Sequence, residues 1–175
     1  MLRLVYETHS TSTDNEAGIA TGWNHGRLSE AGEAQARELG ERRRDPAPAA
    51  VFASDLQRAV QTATIAFGDA RVPILLDWRL RECDYGELNG APAAELERGS
   101  HIDTPFPGGE SYRDVVERTR SFLADILRGW DGLYVVMIAH SANRWALDHL
   151  LRGARLEDLV VAPFEWQPGW KYELR

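Results

Sequence analysis

Four short runs of branched and aromatic residues, at positions 2–6, 50–53, 72–76 and 133–139, show no polar alternation and predict strands buried on both faces. A fifth candidate strand covers residues 170–174. Between these runs the apolar positions recur at helical spacing. Leu56, Val60, Ala63 and Phe67 fall on one face of a helix predicted over residues 55–67, with Ser54 as its N-cap. Residues 111–130 open on Ser-x-x-Asp, a capping signature, and carry Val115, Thr119, Phe122, Ile126 and Trp130 along one stripe. Residues 142–151 predict a further helix directly after the 133–139 strand, and residues 29–43 fit a helix with a weaker apolar face. Residues 18–26, 44–48 and 99–109 are the sizeable loops. Strands alternating with helices predict an α/β layered domain with a largely parallel sheet, whose ligands sit at the carboxyl ends of the strands.

Composition narrows the classes. The 175 residues suit one domain over residues 1–175, and the longest apolar stretch, residues 133–139, is too short to span a bilayer. Glu7 and His9 interrupt the N-terminal apolar run before a secretory signal core could form, so the cytoplasm is the expected location. A net charge of −7 gives no footprint for a phosphate backbone, and neither nucleic acid nor membrane is an expected partner. Cys83 is the sole cysteine, which excludes an internal disulfide and a cysteine-based zinc site. Of the 20 basic residues only Lys171 is a lysine, so lysine-dependent chemistry has almost no candidate.

Two histidines stand where the strand-end rule puts an active site. His9 comes just beyond the first strand, and His140 directly follows the 133–139 strand. Arg58 lies in the first turn of its helix, about 200 degrees round from Leu56 and therefore off the apolar face. A helix N-terminus and a guanidinium together favour a tetrahedral oxyanion. The chain has no His-Glu-x-x-His, and His25, His101 and His149 are scattered, so no metal is expected. It also lacks both Gly-x-x-x-x-Gly-Lys and Gly-x-Gly-x-x-Gly, so no nucleotide cofactor is expected either. The six tryptophans are expected to pack in the core or under loops, with Trp23 also a candidate for a pocket mouth.

The order of several motifs resembles the histidine phosphatase superfamily, the phosphoglycerate-mutase-like fold. Thr8-His9-Ser10 with Asn15 stands where that family has Arg-His-Gly and a later Asn. Gly22-Trp23 and Arg27-Leu28-Ser29-Glu30-Ala31-Gly32 with Gln35-Ala36 follow, then Ser54-Asp55-Leu56-Gln57-Arg58-Ala59 with Thr62-Ala63. Leu80-Arg81-Glu82 with Gly86 and Gly90, Gly109-Glu110-Ser111, and Ala139-His140-Ser141 complete the series. The resemblance implies a three-layer α/β/α fold with a mostly parallel central sheet. It implies His9 as the nucleophile that takes a phosphoryl group, Arg58 and His140 as holders of phosphate oxygens, and Asn15 as a neutral donor. Glu82 would protonate the leaving oxygen and then activate water.

This sequence departs from the family pattern at three places beside the histidines. Thr8 removes the arginine next to the nucleophile, while Ser10 and Ser141 replace glycines and add hydroxyls that could reach phosphate. Arg27, Arg81 and Arg144 are the candidates to restore the missing charge, with Arg144 four residues after His140 where many relatives have an arginine five after. The expected activity is a phosphomonoesterase acting on a small phosphorylated metabolite through a phosphohistidine. A mutase is less favoured, because residues 82–110 leave little room for longer insertions around the site. The alternative from another class, supported by Thr8, is a catalytically silent protein that binds a phosphorylated ligand or a regulatory partner.

Overall fold

A computed structural model describes residues 1–175. Strands β1 (Leu2–Thr8), β2 (Ala50–Ala53), β3 (Ile74–Leu76), β4 (Tyr134–Ala139) and β5 (Trp170–Leu174) make one sheet in the order β3-β2-β4-β1-β5. The first four strands in that order run parallel, and β5 adds antiparallel to β1. Central β4 is buried from Val135 to Ala139, which explains its unbroken apolar run: both of its faces are covered.

The two faces follow from the strand pleat. Leu4, Tyr6, Phe52, Val135 and Met137 point to one side and pack on Phe122, Leu123 and Ile126 of helix α4 (Tyr112–Trp130) and on Leu147 of α5 (Ser141–Arg152). Val51, Ala53, Val136 and Ile138 point to the other, against Leu39 of α2 (Glu30–Arg42) and Ala59, Ala63 and Phe67 of α3 (Gln57–Phe67). The result is the three-layer α/β/α arrangement with a mostly parallel sheet. Edge strand β5 shows the alternation the inner strands lack, with Trp170, Tyr172 and Leu174 inward and Lys171 and Glu173 outward.

Several local expectations are corrected. The strand predicted over residues 72–76 shortens to Ile74–Leu76 and is not buried, because β3 is the outermost strand and leaves Leu75 and Leu76 exposed. Helix α3 begins two residues later than predicted. Asp55 is bound at 2.7 Å by both Nε and Nη2 of Arg81, and the Ser54 hydroxyl accepts from Leu56 N at 3.2 Å, so Ser54 shapes a turn and does not cap the helix. The buried stripe is Ala59, Ala63 and Phe67, with Val60 only half-buried. Trp78 and Trp166 are exposed where core packing was expected. The cap at Ser111 stands as predicted, with reciprocal bonds to Asp114, and Ser29 caps α2 by accepting from Gly32 N.

Two short helices carried too little periodicity to be foreseen, α1 (Thr13–Ala17) and α6 (Leu156–Val161). The predicted loop over residues 99–109 is also no free loop. Ile102 and Phe106 are buried with Cys83, Tyr85, Tyr112 and Trp145 in a separate apolar cluster on α4 and α5, and this fastens the whole excursion from Glu82 to Glu110 beside the strand ends.

Candidate active site

Parallel pairing of β1 with β4 sets Thr8 opposite Ala139, so the next residue of each strand, His9 and His140, emerge side by side at the carboxyl edge of the sheet. His9 N donates to Ala139 O at 2.9 Å, and the two imidazole centroids lie 4.9 Å apart. His9 Nδ1 meets Ser10 O at 2.8 Å; a carbonyl can only accept, so Nδ1 carries the hydrogen and Nε2 is left with its lone pair. Thr62 Oγ1 accepts from Ser10 N and Tyr6 OH donates to His140 O, fixing the backbone on either side.

Around this pair the donors lack partners. Arg58 is 3% exposed; its Nη2 donates to Gly22 O at 2.9 Å, while its Nη1 is buried and unbonded. His140 is fully buried and neither ring nitrogen has a partner in the chain. Gly22 is irreplaceable in this arrangement, since its φ is +54° and a Cβ there would stand 1.8 Å from Asn89 Oδ1. Buried donors left open beside an unneutralised guanidinium form a site that an oxyanion completes. Burial, with the Arg58 charge, lowers the His9 pKa to about 3, and burial followed by Arg58 and His9 holds His140 well below the usual histidine range. Both imidazoles are therefore neutral at neutral pH, and His9 is unprotonated for attack.

Glu82 faces the same space. Its Oε1 accepts from Cys83 N at 2.8 Å and Ala142 N at 3.3 Å, and Oε2 makes no bond within the chain. Burial raises its pKa above that of an ordinary carboxyl despite those two bonds and the Arg58 charge. The backbone of Glu82 is held by Arg118, which sequence reasoning missed. Arg118 Nη1 donates to Arg79 O and Arg81 O at 2.7 Å, Nη2 to Glu82 O at 2.9 Å, and Nε and Nη2 to the Glu110 carboxylate at 2.9 Å. Its signal was an arginine inside the buried stripe of α4, next to Thr119. Trp23 is not at a pocket mouth but donates Nε1 to Glu82 O at 2.7 Å. Replacing Arg118 with Met leaves the Arg79 and Arg81 carbonyls without their donor and the Glu110 carboxylate without its counter-charge, and is expected to cost about 3 kcal/mol or more in urea unfolding. A loss under about 1 kcal/mol would show that water replaces the guanidinium freely.

The remaining candidates divide. Two cavities open on His9 and share His9, Asn15, Ser141 and Phe164 in their walls. The smaller, of about 200 Å³, also has Arg58, Glu82, Tyr85 and Arg98; the larger, of about 650 Å³, has Thr8, Ser10, Gln35, Glu38 and Arg42. Asn15 Oδ1 is committed to Ser12 N, which leaves its Nδ2 to donate. The three arginines expected to replace the missing charge are elsewhere, which corrects that expectation. Arg81 is bound to Asp55 and lies 4.6 Å over the Trp23 ring, Arg144 is bound to Asp148, and Arg27 is exposed; none lines either cavity. Arg42 does line the larger one but is paired with buried Glu7. No group of three or more His, Cys, Asp or Glu gathers to hold a metal ion.

Comparison with known proteins agrees with this geometry. The histidine phosphatase superfamily (branch 1) matches residues 8–164. A 2,3-bisphosphoglycerate-dependent phosphoglycerate mutase of Methylobacterium sp. (strain 4-46) is 34% identical over 176 residues, covering 89% of this chain and 83% of that protein. Other mutases match over shorter spans, so that this chain covers 40% to 44% of their length. Among solved structures, Bacillus stearothermophilus YhfR superposes with a TM-score of 0.91 at 25% identity, over 100% of this chain and 92% of its own. A mycobacterial glucosyl-3-phosphoglycerate phosphatase in complex with VO3 gives 0.81 at 28% identity, over 92% and 87%.

Proposed function

The chain belongs to the histidine phosphatase superfamily, and from that premise we propose that it is a phosphomonoesterase that hydrolyses a small phosphorylated metabolite through a phosphohistidine at His9. The observation that carries this reading is the set of buried, unpartnered donors, Arg58 Nη1 and the His140 ring, gathered beside the free His9 Nε2. His9 Nε2 attacks phosphorus as the ester P–O bond breaks, and Glu82 Oε2 gives its proton to the departing oxygen. Arg58, His140 and Asn15 Nδ2 receive the phosphoryl oxygens as charge develops on them. The Nδ1 hydrogen bond to Ser10 O supports the positive imidazole of the intermediate. Glu82, now a carboxylate, takes a proton from water, which attacks phosphorus; the P–N bond breaks and phosphate leaves.

Hydrolysis is favoured over a mutase reaction because the excursion from Glu82 to Glu110 is short and packed down by Ile102 and Phe106. A phosphate-release screen over sugar phosphates, phosphoglycerates, nucleotides and vitamin-precursor phosphates, with His9→Ala as control, tests the reading. Release from at least one ester, lost in the control, is expected; equal release by the variant would overturn it.

Thr8 favours a second reading, ligand binding without turnover. With no other guanidinium on that side free of a carboxylate, Thr8→Arg is expected to raise phosphate affinity and kcat/KM together by about 10- to 100-fold, the worth of one charged hydrogen bond or two. An unchanged or lower kcat/KM on an accepted ester would contradict this account of the site. Phosphate binding by the wild-type protein with no ester turned over would establish the silent reading.

A further inference from the structure

Twelve of the chain's 19 arginines have an Asp or Glu within 4 Å, and five of the other seven are exposed. Of the arginines that are not exposed, Arg42, Arg43, Arg79, Arg81, Arg113, Arg118 and Arg144 each have an Asp or Glu within 4 Å. Arg58 and Arg98 are the two that have none, and both line the smaller cavity beside His9. Arg58 is accounted for by the phosphoryl group. Arg98 is not: its Nε is buried without a partner, and its side chain makes no hydrogen bond at all.

The position of Arg98 says which part of a substrate it would meet. It opens the turn Arg98–His101, entered through Glu97 at φ 43° and ψ 48°, the one non-glycine residue of the chain with a positive φ. Arg98 shares the smaller cavity with Glu82, the group assigned to the leaving oxygen, and is absent from the walls of the larger cavity, which hold Thr8, Ser10 and His140. The same walls as those of Arg98 and Glu82 include Ile19, Tyr85, Ala93 and Trp145.

We propose that Arg98 selects phosphomonoesters whose alcohol part carries a second oxyanion, a carboxylate or another phosphate, a few bonds beyond the ester oxygen. The proposal rests on the phosphomonoesterase reading for the orientation of the substrate. The second oxyanion supplies the counter-charge that the chain withholds from Arg98, and the apolar walls accommodate the short carbon linker.

Three probes of equal length separate the possibilities: propyl phosphate, 3-(phosphonooxy)propanoate and propane-1,3-diyl bisphosphate. Their affinities are read by calorimetry in the His9→Ala protein, which cannot form the covalent intermediate, so the result stands whether or not any of them is turned over. One or both probes with a second oxyanion are expected to bind at least about tenfold tighter than propyl phosphate, and the larger gain identifies carboxylate or phosphate as the preferred group. Adding Arg98→Met should erase that preference while Arg98→Lys, which keeps the charge, retains part of it. Equal binding of all three probes, or an equal loss for all three in the Arg98→Met protein, would overturn the proposal. Absence of turnover in the wild-type protein, with the binding preference intact, would count against the esterase reading alone.

Discussion

Replacing His9 with alanine is expected to lower phosphomonoester turnover by a factor on the order of 10³ or more, because in the proposed mechanism its imidazole divides the displacement into two steps. Nothing near it can substitute. His140 is the adjacent imidazole, but it is fully buried and its backbone carbonyl is held by Tyr6, so it cannot swing to the position of His9 Nε2. Cys83 is buried, and burial raises its thiol pKa far above the usual range, so it offers no thiolate. Circular dichroism and unfolding should change little, since His9 is only part-buried and its ring makes a single bond to Ser10. Residual turnover within about tenfold of wild type would mean that water, and not His9, attacks phosphorus.

Glu82→Gln is expected to cost about 10² to 10³ in kcat, within the usual range for a proton-transferring group. Vanadate affinity should stay within about threefold, because Gln can still accept from Cys83 N and Ala142 N through its carbonyl oxygen. The pH dependence has a definite sign. The first step needs the protonated carboxyl, and burial raises its pKa, so kcat/KM of the wild-type protein falls as pH rises through that raised value. His9 is already neutral across this range, its pKa being lowered to about 3, so it imposes no acid limb near neutrality. The Gln variant should lack the fall. Equal losses of vanadate binding and kcat would instead make Glu82 a residue that holds α5 in place.

The pairing of His9 with His140 was legible in the sequence because β1 and β4 lack polar alternation, which places both in the interior of a parallel sheet and so brings the two histidines to one edge. Arg58 was legible from its place in the first turn of α3, even though the helix starts two residues later than its apolar pattern suggested. Arg98 and Arg118 were not. Their roles depend on how residues 82–110 fold back, and that excursion is built of short 3-10 turns fixed by Ile102 and Phe106 against two distant helices. Local pattern carries no information on such contacts. The arginines proposed for the missing charge failed for a related reason: Asp55 and Asp148, which take up Arg81 and Arg144, are neighbours only in the folded chain or on a helix face. Among 19 arginines, sequence alone does not say which ones lack a carboxylate.

The central claim is the covalent phosphohistidine. Rapid quenching of the protein during turnover of an accepted ester, followed by mass spectrometry of its peptides, tests it directly. Acid-labile, alkali-stable phosphate on His9, present in the Glu82→Gln protein as well and missing in His9→Ala, is the expected result. An unmodified His9 under demonstrated steady turnover, or phosphate on any other residue, would contradict it.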